Sequence, residues 1–137
     1  TALTRTRPMT SDVEPAITAL LHAGLLVSDL ATARAFYESV LGFKPMPDRP
    51  DLPYPGQWYA LSGQQQLHLM QLSNPDANAL RPEHGGRDRH IAFAVTHLDT
   101  LETKLEKSGI PYTRSKSGRP ALFCRDPDGN TLEFIQT

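Results

Sequence analysis

The 137-residue sequence predicts an α+β fold of two tandem βαβββ modules, and three observations carry that expectation. The stretch His22-Ala23-Gly24-Leu25-Leu26-Val27-Ser28-Asp29-Leu30 returns as His90-Ile91-Ala92-Phe93-Ala94-Val95-Thr96-His97-Leu98, with histidine, valine and leucine each displaced by 68 residues (22 to 90, 27 to 95, 30 to 98). A second pair, Leu67-His68-Leu69-Met70 and Leu132-Glu133-Phe134-Ile135, is displaced by 65 residues (68 to 133) and sets a polar, metal-capable side chain inside an apolar run. Finally, strand-like and helix-like patterns follow in the same order in both halves.

Each element has its own signal. Residues 19–27 are mostly apolar and end in a polar turn, which predicts a strand. Ser28 or Asp29 can cap the helix that follows, because a side-chain oxygen there satisfies first-turn N–H groups. Leu30, Ala33, Phe36, Tyr37, Val40 and Leu41 recur at helical spacing, and Gly42 supplies a left-handed stop. Short strands are expected near 43–48, 57–62 and 65–72, with Pro45, Pro47, Pro50, Pro53 and Pro55 forming a long, stiff loop. Turn residues from Ser73 to Asp88 predict a second loop. A strand at 90–95 then leads to a helix over about 98–108, carried by Leu98, Leu101 and Leu105 and stopped by Gly109. Strands near 111–114, 120–125 and 131–136 complete the second half, the last two joined by the hairpin turn Asp126-Pro127-Asp128-Gly129-Asn130. A half-chain would bury its sheet face poorly alone, so the two halves are expected to pack together.

Composition bounds the function classes. The chain length suits one domain, and 39% apolar with 21% charged residues are globular values. A net charge of −1 argues against an organisation around nucleic acid or anionic membrane. No apolar run approaches the ~20 residues of a membrane-spanning helix. Thr1 to Pro15 carries Arg5 and Arg7 without an apolar leader core, so residues 1–17 are expected to form a flexible tail. The domain then covers 18–136, with module 1 at about 18–73 and module 2 at about 88–136. Cys124 is the single cysteine; no intrachain disulfide is available to it, and a reducing cytoplasm is the expected setting for a buried, inert thiol.

The repeat places His22, His68, His90 and Glu133 as candidate metal ligands. Imidazole and carboxylate are usual ligands of Zn, Ni, Fe or Mn, and three or four protein donors suffice when water completes the shell. Taken singly, a strand histidine is more often a hydrogen-bonded core residue and a strand glutamate a solvated one. The matched placement reverses that balance, since burying polar groups without partners costs ~1–3 kcal/mol each. His68 is the weakest member, given the polar neighbours Gln64, Gln65 and Gln66. Alternation puts His22, Gly24 and Leu26 on one face, and His90, Ala92 and Ala94 on the matching one, so small neighbours leave room for a cavity. Glu83 and His84, in a loop, are expected to meet solvent or substrate. His97 stands where Asp29 stands in the first copy, which predicts a capping role. Trp58 and Tyr59 are expected in the core, with lining of the pocket as the alternative. Arg81, Arg87, Arg89, Arg114, Lys116, Arg119 and Arg125 concentrate positive charge in the second half, either as a solvated surface or as a rim for an anionic substrate.

Together these residues resemble the vicinal oxygen chelate superfamily, which includes glyoxalase I, extradiol dioxygenases, fosfomycin-resistance enzymes, methylmalonyl-CoA epimerase and bleomycin-binding proteins. The resemblance covers about residues 18–136 and rests on four motifs. They are Leu21-His22 through Val27-Ser28-Asp29-Leu30, Ala35-Phe36-Tyr37 to Leu41-Gly42-Phe43, Arg89-His90 through Val95, and Asp126-Pro127-Asp128-Gly129-Asn130 through Phe134. It implies paired modules whose mixed sheets curl around a divalent metal held by His22, His68, His90 and Glu133. It also implies a homodimer, in which some relatives build each site from modules of two chains. The implied activity is a glyoxalase I-like (lactoylglutathione lyase-like) lyase or isomerase that chelates a small substrate through adjacent oxygens and stabilises an enediolate-like intermediate. Glu133 or His68 would shuttle the proton, and Arg87, Arg89 or Arg119 would hold an anionic end of the substrate. Bacterial glyoxalase I typically has glutamate where this chain has His68. His22, His90 and Glu133 alone equal the two-histidine, one-carboxylate triad of Fe(II) extradiol dioxygenases, although a fourth ligand at His68 would occupy a position that reaction needs. A non-catalytic binder of the bleomycin-resistance kind is the third reading.

Overall fold

The computed structural model describes residues 13–137, so the greater part of the expected tail lies outside the described residues. Among the described residues, the order of elements is β1 (His22–Val27), α1 (Leu30–Arg34), a π-helical stretch (Ala35–Val40), β2 (Lys44–Pro45), β3 (Gly56–Ala60) and β4 (Gln66–Gln71). A 3-10 turn (Gly85–Arg87) leads into the second set: β5 (His90–Val95), α2 (Leu98–Lys107), β6 (Tyr112–Arg114), β7 (Ala121–Arg125) and β8 (Thr131–Gln136). This is βαβββ twice. The strands form two four-stranded mixed sheets, ordered β1-β4-β3-β2 and β5-β8-β7-β6, and neither closes into a barrel. No helix of the described residues is long and apolar enough to cross a membrane.

Parallel pairing of the first and last strand of each module fixes the site's register. Gly24 stands opposite His68 and Ala92 opposite Glu133, while on the other side Trp58 stands opposite His68 and Phe123 opposite Glu133. The alternation of faces follows the expectation: Ala23, Leu25 and Val27, like Ile91, Phe93 and Val95, face the core, and the histidines face away. One apolar cluster spans both halves, from Val27, Phe36, Tyr37, Tyr59, Leu67 and Leu69 to Leu98, Leu101, Leu105, Leu122, Leu132 and Phe134. Neither module could bury its inner face alone, so the halves share one core.

The hairpin turn of module 2 locks the halves together. Asp126 N–H donates to Asn130 O at 2.9 Å, and Gly129 takes the positive φ of 82° that the turn requires. From that turn Asp126 accepts a 2.8 Å bond from the Tyr37 hydroxyl, Asn130 Nδ2 donates to Leu26 O at 3.0 Å, and Asp128 accepts from Ser28 N–H at 3.0 Å. Burial raises the Asp126 carboxyl above its ordinary range, partly offset by bonds from Asn130 and Tyr37.

Three local expectations are corrected. The first helix runs α only to Arg34 and then widens to π-helical turns through Val40; Gly42, at φ 81°, ends it as expected. The strand expected near 43–48 shrinks to Lys44–Pro45, because Pro45 and Pro47 cannot donate to a ladder. His97 occupies the N-cap position of α2 but makes no capping bond; its ring meets Thr96 Oγ1 instead. The exposed first N–H group is satisfied from a neighbouring strand: Gln136 Oε1 accepts from Leu98 N–H at 3.0 Å, as Gln71 Oε1 accepts from Leu30 N–H at 2.8 Å. Asp29 does cap α1, accepting from Thr32 N–H and Oγ1.

Candidate metal and substrate site

The four candidate ligands stand in two pairs, one on the outer face of each sheet. In module 1 the His68 ring lies 4.1 Å from the His22 ring, nearly parallel to it at 15°. Its other face meets the Trp58 indole at 4.0 Å and 2°. Three flat rings from β1, β4 and β3 thus stack in line. His68 Nε2 donates to Gln66 Oε1 at 2.7 Å, leaving Nδ1 with its lone pair. Burial, then the neighbouring charges of His22 and Arg49, lower the His68 pKa to about 4, so the ring is neutral near pH 7. Arg49, one of the stiff-loop residues, donates through Nη2 to Tyr54 O and lies over the Tyr54 ring.

Module 2 builds a polar cleft. Glu133 is 2% exposed, and Oε1 lies 3.2 Å from His90 Nε2 while Oε2 accepts from Arg119 Nη2 at 3.2 Å. His90 Nδ1 donates to Asp88 O at 2.8 Å, which leaves Nε2 as the atom turned to the carboxylate. A backbone carbonyl or side-chain amide behind each histidine is the usual way a ligand ring is oriented toward a metal. Phe123 supports this pair edge-on, with its ring perpendicular to His90 at 5.1 Å and tilted 72° to His84 at 5.2 Å. The cleft, about 280 Å³, is lined by His84, Arg87, His90, Lys116, Arg119 and Glu133 among others. His84 is held by a 2.9 Å contact from Nδ1 to Thr113 Oγ1. Gly85 lets that loop lie against the sheet: a Cβ there would come within 2.8 Å of Phe123 Cβ and 2.7 Å of Thr131 Cγ2.

The structure therefore joins His22 to His68 and His90 to Glu133. Among the described residues, no three of histidine, cysteine, aspartate and glutamate come together as a metal-holding group. Of the expected anion-binding residues, Arg87 and Arg119 line the cleft with Glu133, whereas Arg89 pairs with Asp76 and lines a separate cleft between β1 and β5. The basic surface is largely neutralised elsewhere: Arg81 and Arg125 bind Asp88, and Arg114 binds Glu102. Trp58 is corrected from core to site face, while Tyr59 is fully buried as expected. Cys124 is buried, and burial pushes its thiol up to about 12, consistent with an inert residue.

Gln66 and Phe123 belong to the site surroundings without having been singled out for it in the sequence. For Trp58 and Phe123 a signal exists: they stand 65 residues apart, the same displacement as His68 and Glu133. Gln71 and Gln136, which satisfy the two helix starts, repeat that displacement again.

Comparison with known proteins bears on the family and the fold. The family model described as Glyoxalase/Bleomycin resistance protein/Dioxygenase superfamily matches residues 19–134. "Glyoxylase I 4" from Arabidopsis thaliana is 31% identical over 123 residues, covering 86% of this chain and 70% of the relative. The crystal structure of lactoylglutathione lyase from Agrobacterium tumefaciens aligns with a TM-score of 0.61 at 25% identity, covering 88% of this chain and 95% of that one. A mutant fosfomycin resistance protein from Listeria monocytogenes, complexed with Mn(II) and 1S,2S-dihydroxypropylphosphonic acid, shares the fold. Its TM-score is 0.69 at 17% identity, with 88% of this chain and 93% of that one covered.

Proposed function

This chain belongs to the Glyoxalase/Bleomycin resistance protein/Dioxygenase superfamily, and we propose that within it the protein is a divalent-metal-dependent, glyoxalase I-like lyase or isomerase of small anionic substrates. The observation that carries this reading is the pairing of a nearly inaccessible carboxylate, Glu133, with His90 in a cleft rimmed by Arg87, Lys116 and Arg119. The donor chemistry fits a metal: bonds from the opposite ring nitrogen turn His90 Nε2 toward Glu133 and leave His68 Nδ1 as a lone-pair donor. Two donors per module fall short of the three or four that a Zn, Ni, Fe or Mn site uses. The fourfold set is completed in a homodimer, with His22 and His68 of one chain facing His90 and Glu133 of its partner.

When bound, the metal supplies Lewis-acid polarisation of adjacent substrate oxygens. Glu133 takes up a proton from the neighbouring carbon and returns it one atom along, which leaves the substrate isomerised with no change of oxidation state. Neutral His68 is the second group able to accept a proton. Arg119, already on Glu133, and Arg87 hold the anionic end through their guanidinium forks. The low-dielectric floor around Glu133 strengthens each of these interactions.

Metal-stripped protein reloaded anaerobically with Ni, Zn or Fe(II), then offered glutathione hemithioacetals and catechols, tests the reading. Isomerisation without oxygen supports it. Turnover of catechol that stops when oxygen is withheld identifies a dioxygenase instead. Tight binding of an organic ligand that survives a chelator identifies a non-catalytic binder.

A further inference from the structure

We propose that Trp58 is a positioning residue that clamps the His68 imidazole as a metal donor; this rests on the metal-site reading above. The register places Trp58 directly opposite His68 on β3, and Gly24 opposite it on β1. With no side chain at position 24, nothing at that pair occupies the β1 side of the His68 ring. A Cβ at Gly24 would instead stand 3.1 Å from Met70 Cε. His22, two residues earlier on the same face, leans into that space and meets His68 face to face at 4.1 Å.

Clamped between two parallel planes at 4.0 and 4.1 Å, the imidazole has its faces covered and only its ring edge available. Gln66 takes Nε2, so the edge presents a single nitrogen, Nδ1. Such preorganisation matters here because the donor is on a strand with polar flanks and would otherwise lose rotamer freedom on binding an ion. The repeat supports the assignment independently. Module 2 has an aromatic ring, Phe123, at the corresponding position opposite Glu133, and it too contacts a ligand ring. Tyr59, not Trp58, fills the core on this strand, so the indole's place on the open face calls for a role other than core packing.

Trp58 is the only tryptophan in the chain, which makes its fluorescence a direct reporter of its stacking partner. In wild-type protein, Ni(II) titration is expected to quench that fluorescence. In Trp58→Leu, Ni(II) affinity, measured by competition with a chromophoric chelator, should fall about 10- to 100-fold, the range for residues that orient metal ligands. Trp58→Phe, which keeps a flat ring face, should recover most of the loss. In metal-free protein the His68 ring nitrogens, followed by NMR, should show a slowly exchanging Nε2–H in the wild type that is lost in Trp58→Leu. Trp58→Thr, also compatible with a strand, repeats the comparison should the leucine variant not fold.

Unchanged Ni(II) affinity in folded Trp58→Leu or Trp58→Thr overturns the proposal. If the wild-type protein binds no Ni(II), Zn(II) or Mn(II), the metal-site reading itself fails. The NMR comparison then decides the clamp alone, with unchanged His68 ring signals overturning it.

Discussion

The two modules share a scaffold and differ in how they present it. Module 1 lays three flat rings in a row, His22, His68 and Trp58, with no carboxylate among the ligand candidates. Module 2 sinks one carboxylate beneath a histidine and an arginine inside a cationic cleft. The entries to the two first strands differ as well. Asp88, two residues before His90, is bound by Arg81, Arg125 and Thr131, whereas the matching position before His22 is the exposed Leu20. Duplication thus preserved the candidate ligand positions while their surroundings diverged: one half stacks aromatic rings, the other buries a carboxylate among cationic side chains.

The largest expected effect is on metal binding. His22→Ala, His90→Ala and Glu133→Gln should each lower metal affinity by more than about 100-fold, since each removes a direct bond to the ion; metal content after gel filtration measures this. If variants of only one module lose metal, the two-module account is broken.

Next comes the pin that only module 2 has. Asp88→Asn should destabilise the protein by about 3 kcal/mol, because it leaves Arg81 and Arg125 facing each other without their shared anion. Thermal unfolding at neutral pH checks it. The same carboxylate sets an acid limb. Burial alone would raise its pKa, but Arg125 and Arg81 hold it well below the usual carboxylate range. A depressed folded pKa contributes stability above the unfolded value of about 4, and that contribution is lost as pH falls. Wild-type protein should therefore lose stability below about pH 4 more steeply than Asp88→Asn does.

A smaller effect probes what the modules share. Gln71→Ala and Gln136→Ala each remove the acceptor at a helix start and should cost about 1 kcal/mol apiece, as loss of a helix-capping partner does. Equal losses in chemical denaturation would confirm the device as equivalent in both halves; a loss in one alone would sharpen their asymmetry.

Much of this was legible in the sequence because strand alternation and the double displacement act locally. The faces of β1 and β5 and the hairpin at Asp126–Asn130 follow from spacing, whereas the candidate ligands, expected as one set of four, lie in two pairs. Trp58 was misassigned because two large aromatics stand side by side, and alternation says that one faces inward without saying which. His97 was misread because the acceptor for that helix start lies 38 residues further on, in Gln136. The arginines were harder still: which carboxylate neutralises which guanidinium depends on contacts such as Arg125 with Asp88, which no local pattern encodes.

The central claim is that the two unlike modules meet across a pair of chains. The most direct measurement co-expresses a chain carrying His22→Ala and His68→Ala with a differently tagged chain carrying His90→Ala and Glu133→Gln, then counts metal in the mixed dimer. Sites built across chains leave one intact set of four donors, and one bound ion per mixed dimer is predicted. Sites built within each chain leave none intact, and a mixed dimer without metal would contradict the account.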